Sequence, residues 1–330
     1  MKKFLFLMML MALTVIGCGK EKDKTAASAG TGSETKAEGK TYKVGIVQIV
    51  SHQALNKAKE GFEDAFKEAG LKAEFDEQDA QGEVTTANTI ANKFVSDKVD
   101  LIFAIATPTA QAASNATSDI PILFSAVTDP KAAGLVKPNI TGTSDKVNIE
   151  QQIALLREIY KNSKKIGFLY NSSEENSVVQ LKELKEIAGK YGFEVVDQGI
   201  SSANELPQAL DKMLTQADVI YLPTDNLISS SSALIAEKAN TAKKITFGAE
   251  SGMLENGIFI TKGIDYYELG KEAGKLAVQI LKDGKKPSEL PYKTSETVEI
   301  AVNKATLEKL GIKLPDEIMS KAKIIETKAK

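Results

Sequence analysis

Groups able to do covalent chemistry are scarce in this chain of 330 residues, which holds one histidine, His52, and one cysteine, Cys18. A Ser-His-Asp or Cys-His apparatus would have to run through His52, and no Gly-x-Ser-x-Gly elbow accompanies it. No G-x-x-x-x-G-K-[ST] loop occurs, and no G-x-G-x-x-G follows the first strand-like run, so the usual phosphate and dinucleotide cradles are missing. One imidazole and no spare thiol leave only scattered carboxylates, too few donors of the right kind for a metal centre. What the chain does offer is a set of amides, hydroxyls and acids placed just past apolar runs. Gln48 and His52 follow the first run, Ala106-Thr107-Pro108-Thr109 a later one, and Thr128 the next. Farther on come Asn171 and Ser172, then Asn176 and Ser177, then Asp225-Asn226 and Glu250. Neutral donors and acceptors of this sort fix a small polar ligand by hydrogen bonds; they do not make a paired acid and base. The expectation is a binding protein that is not an enzyme and needs no cofactor or metal.

The elements that carry these groups alternate. "YKVGIVQIV" reads as a strand, and Leu55, Ala58, Phe62, Ala65, Phe66 and Ala69 then recur on one helical face before Gly70. "KAEFDE" reads as a strand, 84–96 as a helix, "DLIFAI" as a strand, 108–116 as a helix and "IPILFSA" as a strand. A second series has helices over 149–160, 181–191, 206–214 and 228–242, between strands "KKIGFLYN", "FEVVDQ", "ADVIYLPTDN" and "KITFG". Alternation of this kind predicts βαβ units around mostly parallel sheets. The two series match in order: "KVGIV" parallels "KIGFL", and "VDLIFAIATPT" parallels "ADVIYLPTDN". The fold expected is therefore α/β, with two doubly wound lobes. Ligands in such sheets bind beyond the carboxyl ends of the strands, so the site should be the cleft where those ends face each other.

Ahead of the lobes, Lys2 and Lys3 precede an apolar run over 4–16 that ends in Val15-Ile16-Gly17-Cys18. This pattern resembles a bacterial lipobox with Cys18 as the lipidated residue, and two or more acyl chains would give a stable anchor. Residues 1–18 then form a lipoprotein signal peptide, and 19–40, with no large apolar side chain, a disordered tether. Net charge is −2 with no basic face, which speaks against nucleic acid. About 290 residues remain, more than one core usually serves. Lobe 1 is expected over 41–146 plus about 265–290, and lobe 2 over 147–264 plus about 291–325.

Six strings in this order, "AIATPTAQA", "SAVTDPKAAGLV", "ITGTSD", "YNSSEENS", "YLPTDN" and "GIDYYELG", resemble the substrate-binding lipoproteins of tryptophan/tyrosine-type ABC transporters. The resemblance spans about 42–313. It implies a periplasmic-binding-protein-like (Venus-flytrap) fold of type I, with lobes joined by crossing segments. It also implies an aromatic amino acid as ligand (tryptophan, tyrosine or phenylalanine), a permease and an ATPase as partners, and a monomer anchored by lipid on the outer face of the bacterial cytoplasmic membrane. A surface lipoprotein acting as sensor or adhesin, with ligand binding secondary, is the alternative.

Roles follow for individual residues. The turn 106–109 opens a helix, and its N–H groups with the hydroxyls of Thr107 and Thr109 would suit a carboxylate, while Thr107 as a plain N-cap explains the same residues. An α-ammonium needs acceptors: Asp225 with Asn226 comes first, then Asp265 in "GIDYYELG", with Asp129 the most structural. Asn171, Ser172, Glu175, Asn176 and Ser177 line the second lobe's first turn, with Asn176 or Ser177 alternatively a plain cap of the following helix. Gln48 and His52 complete the first lobe's wall. Tyr266, Tyr267 and Phe124 are the rings that could stack on an aromatic ligand.

Overall fold

The computed structural model describes residues 40–295 and 298–327, all within one compact unit. The leader, Cys18 and all but residue 40 of the tether expected over 19–40 lie outside the described residues.

The first series runs β1 (Tyr42–Gln48), α1 (Gln53–Glu68), β2 (Ala73–Asp79), α2 (Val84–Ser96), β3 (Leu101–Ile105), α3 (Thr107–Ala116), β4 (Ile122–Ser125) and β5 (Ile140–Ser144). The second runs α4 (Ile149–Ile159), β6 (Lys165–Asn171), α5 (Glu175–Ile187), β7 (Glu194–Ile200), α6 (Leu206–Gln216), β8 (Val219–Leu222), α7 (Asn226–Ser230), α8 (Ser232–Thr241), β9 (Ile245–Gly248) and β10 (Ile260–Ile264). The chain closes with α9 (Tyr266–Leu281), β11 (Lys293–Thr294), β12 (Val298–Asn303), α10 (Lys304–Leu310), α11 (Asp316–Met319) and β13 (Lys323–Ile325).

Two sheets result, ordered β11-β5-β4-β3-β1-β2 and β13-β12-β10-β9-β8-β6-β7. Every pairing is parallel except β10 with β12. The central strands are apolar throughout because helices cover both faces; β3, Leu-Ile-Phe-Ala-Ile, is buried at every position. The chain crosses between lobes after β5, after β10, and between β11 and β12. Lys293–Thr294 pairs with β5, so the last crossing falls a few residues beyond the expected boundary near 290.

Helix α9 returns from the second sheet to lie on α1, and glycines let the two backbones nearly touch. A methyl group at Gly270 would sit 1.8 Å from the Ala58 carbonyl oxygen, and one at Gly61 2.1 Å from that of Tyr267. Below this pair, Phe62 of α1 stacks on Phe103 of β3 with ring centres 3.8 Å apart. The helix expected over 228–242 is broken into α7 and α8. Ser232 turns its hydroxyl back onto the Ser229 carbonyl oxygen (2.7 Å), and such side-chain bonds compete with the helical ladder.

Candidate functional site

In both sheets the strand order reverses beside the first strand of the series: β1 lies between β2 and β3, and β6 between β7 and β8. Turns leaving such a switch point open a crevice at the carboxyl ends of the strands. Here the turns of the two lobes meet. His52, leading into α1, places Nε2 3.3 Å from Oδ1 of Asn226 at the start of α7. An amide oxygen only accepts, so the imidazole is the Nε2–H tautomer and donates. Thr128, past β4, faces Thr224, past β8, with their hydroxyl oxygens 3.1 Å apart. Thr128 donates to Asp145 Oδ1 (2.9 Å), and Tyr266 donates to Asp145 Oδ2 (2.6 Å). Gln180 donates to the Thr224 hydroxyl (2.6 Å). Because a hydroxyl has one proton, the direction is fixed: Gln180 to Thr224 to Thr128 to Asp145. That relay joins lobe 2, lobe 1 and two of the three crossing segments, at Asp145 and Tyr266.

These side chains bound a narrow inner cavity of about 10 Å³, which His52, Asp145, Asn176, Asn226, Glu250 and Tyr266 help to wall. Asn226 also borders an outer chamber of about 320 Å³ at the mouth of the cleft. The outer chamber has an apolar wall of Ile49, Val50, Val84, Pro108 and Leu227, and Asn171 and Glu174 are among its polar lining. Among the described residues no lysine or arginine borders either space.

The electrostatics are one-sided. Burial pushes the Glu250 carboxyl up to about 7, and it raises Asp145 and Asp225 as well. Glu174 is raised by burial and by the negative charge of Asp225 beside it. Burial lowers His52 to about 4, so the imidazole is neutral at neutral pH and compensates none of them. Four buried acids without a buried cation make a cleft that favours a positively charged group.

The first helix turn of lobe 1 differs from the plain cap. Ala106, not Thr107, is the N-cap of α3, with φ 89° and ψ 157°, backbone that glycine adopts and alanine rarely does. Thr107 is 2% exposed and its hydroxyl has no partner among the described residues. Pro108 of the same turn lines the outer chamber. Thr109 is spoken for, since its hydroxyl bonds the carbonyl oxygens of Ile105 (2.7 Å) and Ala106 (2.9 Å). Past β4, Ala126 has φ 58° and also borders the inner cavity.

Several expected site residues are turned elsewhere. Gln48 donates to Asn56 Oδ1 (3.2 Å) and Asp79 Oδ2 (3.4 Å) inside lobe 1. Ser172 is exposed and bonds the Ile200 carbonyl oxygen. Asp225 does border the inner cavity, but at 1% exposure it accepts from Asn171 N (2.6 Å), the Ser177 hydroxyl (2.6 Å) and Ile228 N (3.0 Å), capping α7. Its oxygens are filled by the protein, and Ser177 serves that cap. Asp265 caps α9 through Tyr267 N and Glu268 N, and it borders a separate pocket with Lys57 and Glu299. Asp129 bonds Lys131 N and Ala132 N, a turn role. Phe124 lies in the lobe 1 core, Tyr267 reaches Asp64, and only Tyr266 walls the inner cavity. Glu250 caps the 3-10 turn over 251–256 through Gly252 N (2.6 Å) while facing the cavity.

Sequence reasoning missed Glu174 and Asp145. Glu174 is buried at 5% exposure, whereas its neighbour Glu175 is exposed. The doublet was the signal: two glutamates at a helix start cannot both face inward. Asp145 ends the "ITGTSD" string and has no helix of its own to cap, which set it apart from the other acids.

The comparisons with known proteins agree with this geometry. The profile of the family described as ABC transporter substrate binding protein matches residues 43–325. The curated "Tyrosine-binding protein" of Clostridioides difficile (strain R20291) is 44% identical over 288 residues, covering 84% of this chain and 83% of that protein. A solved ABC domain in complex with L-Trp from Streptococcus pneumonia is 34% identical with a TM-score of 0.83, covering 86% of this chain and 99% of that one. A ligand-free, open substrate binding protein with adhesive properties from Clostridium difficile is 44% identical, yet its TM-score is 0.66, covering 87% of this chain and 100% of that one. Greater sequence identity with poorer superposition indicates that the lobes here are set as in the L-Trp complex and not as in the open form. The chain belongs to the family of ABC transporter substrate-binding proteins.

Proposed function

We propose that the interlobe cleft captures an aromatic amino acid and that the closed form hands it to the permease of an ABC importer. The observation carrying this reading is the pairing of an acid-rich inner cavity with an outer chamber that is partly apolar. The ammonium enters the inner cavity, where acceptors from both lobes converge. The ring takes the outer chamber, against Ile49, Val50, Val84, Pro108 and Leu227. The carboxylate sits at the α3 N-terminus, where the Thr107 hydroxyl is buried without a partner among the described residues. A tyrosine-binding relative and an L-Trp complex support the aromatic class. Ligand stabilises closure only through contacts it makes better in the closed form, and the cavity is walled by both lobes. No bond is made or broken. On this reading the chain is a monomeric lipoprotein attached through Cys18 to the outer face of the bacterial cytoplasmic membrane. A cleft of this chemistry favours solute capture over the sensor or adhesin alternative.

A thermal-shift screen of the protein against the amino acids tests the reading. A rise of several degrees with tyrosine, tryptophan or phenylalanine is expected, and a flat response to every amino acid would overturn it.

A further inference from the structure

Three asparagines of lobe 2 turn their amide nitrogens toward one carboxylate. Glu174 accepts from Asn171 Nδ2 (3.3 Å), Asn176 Nδ2 (3.2 Å) and Asn226 Nδ2, and also from the backbone N–H groups of Asn226 (3.2 Å) and Leu227 (3.4 Å). An ionised carboxylate can only accept, so each amide that serves it must point its oxygen away. Asn171 Oδ1 goes back to its own turn, at Ser173 N (3.0 Å). The other two oxygens go to the cleft. Asn226 Oδ1 meets His52, and Asn176 Oδ1, on a side chain 4% exposed that walls the inner cavity, has no partner among the described residues.

We propose that Glu174 is a specificity-determining positioning residue: by holding the amides of Asn176 and Asn226 nitrogen-inward, it makes the cleft present carbonyl oxygens, and so selects a ligand carrying a primary ammonium. The proposal rests on the amino-acid reading above and deepens it. Glu174 borders the outer chamber but not the inner cavity, and it sets the polarity of the surface that Asn176 and Asn226 show there. Asn226 is the amide most under its control, because Asn176 Nδ2 is also held by the Thr224 carbonyl oxygen (2.6 Å). The backbone donors of Asn226 and Leu227 cannot turn. In Glu174→Gln a new N–H₂ replaces one acceptor, and the group free to answer it with an oxygen is Asn226. Its amide then turns over and shows N–H groups to His52 and to the ligand.

The chain has a single histidine, which makes this readable. The full-length wild type and Glu174→Gln are titrated with L-tyrosine and with 3-(4-hydroxyphenyl)propionate, the same molecule without its amine, and the His52 tautomer is read by nitrogen NMR. Glu174→Gln is expected to weaken tyrosine about tenfold or more, the size of a lost bond to a charged group, and to leave the deaminated analogue within about twofold. The His52 proton should move from Nε2 to Nδ1. Equal weakening of both ligands with the tautomer unchanged, or no weakening, would overturn the proposal. If Glu174→Gln does not fold, Asn226→Ala removes the amide that Glu174 orients and should show the same selective loss. Should the wild type bind no aromatic amino acid, the amino-acid reading fails by itself, and an unmoved His52 tautomer in Glu174→Gln separately refutes the orienting role.

Discussion

His52 and Asn226 meet across the cleft at 3.3 Å, imidazole Nε2 to amide Oδ1, one at the N-cap of a helix and the other opening a helix, in different lobes. With the Thr128–Thr224 contact, this bond ties the lobes together at the level of the inner cavity. Removing it should favour the open form. His52→Ala is expected to enlarge the ligand-free particle in small-angle scattering and to weaken ligand binding severalfold, since closure then costs more of the binding energy. Unchanged scattering and affinity would mean that the contact follows closure without contributing to it.

The buried acids predict how stability depends on pH. Glu250 is raised to about 7, so between its ordinary range near 4.5 and 7 the folded protein holds a proton the unfolded chain has released. Stability must therefore fall as pH rises through that window, by about 1.4 kcal/mol per pH unit for each proton of difference. Glu174, Asp225 and Asp145 act in the same direction. His52, lowered to about 4, acts oppositely between about 4 and 6.5, because there the unfolded chain holds the extra proton. The ligand-free protein should melt higher at pH 6.5 than at pH 8. Glu250→Gln should flatten that difference, and His52→Asn should let the gain continue toward pH 5.

Ligand binding should also release protons. An ammonium beside buried carboxyls favours their ionised form, so carboxyls protonated in the free protein discharge on binding. Titration calorimetry near pH 7 in two buffers of different ionisation enthalpy should give different observed heats, with the sign of proton release. Proton uptake would place the ammonium away from Glu250.

Backbone strain at the cleft is testable without ligand. Ala106 holds φ 89° and Ala126 φ 58°, conformations that cost a β-carbon about 1–3 kcal/mol and glycine little. Ala106→Gly should raise stability in chemical denaturation by about 1 kcal/mol if the relief exceeds the added freedom of the unfolded chain. A loss would show that the methyl group's packing outweighs the strain.

Gly270 predicts the opposite. A methyl group there would lie 1.8 Å from the Ala58 carbonyl oxygen, and backbone cannot swing aside as a side chain can. Gly270→Ala should push α9 off α1 and cost several kcal/mol, measured by denaturant unfolding.

The two-lobe α/β fold was legible because apolar runs alternating with helical periodicity admit few other arrangements, and because the two series repeat each other. Helix α2 falls on its expected bounds, 84–96. The site was legible only as a set of places. The turns after β1, β3, β4, β6, β8 and β9 were found, but which side chain in each turn faces the ligand depends on partners far away in sequence. Asp225, read as the ammonium acceptor, borders the inner cavity and also caps α7, its oxygens engaged by Asn171 and Ser177 from another segment. Glu175 was the glutamate placed in the turn after β6, but it is Glu174 that is buried, because Asn226, 52 residues on, donates to it. Thr107 was read as a possible cap, yet the strained Ala106 takes that position and frees the threonine hydroxyl. Local rules locate helix starts; they do not decide what a carboxylate is paired with once the lobes close.

The central claim is that the interlobe cleft binds an aromatic amino acid through its ammonium and its ring together. Titration calorimetry of the full-length protein at neutral pH with L-tyrosine, L-tryptophan and their deaminated analogues tests it most directly. The account predicts saturable one-to-one binding of at least one of the two amino acids and at least about tenfold weaker binding of its analogue, the cost of leaving buried acids unpaired. Equal affinity for amino acid and analogue, or no heat with any aromatic amino acid from folded protein, would contradict it.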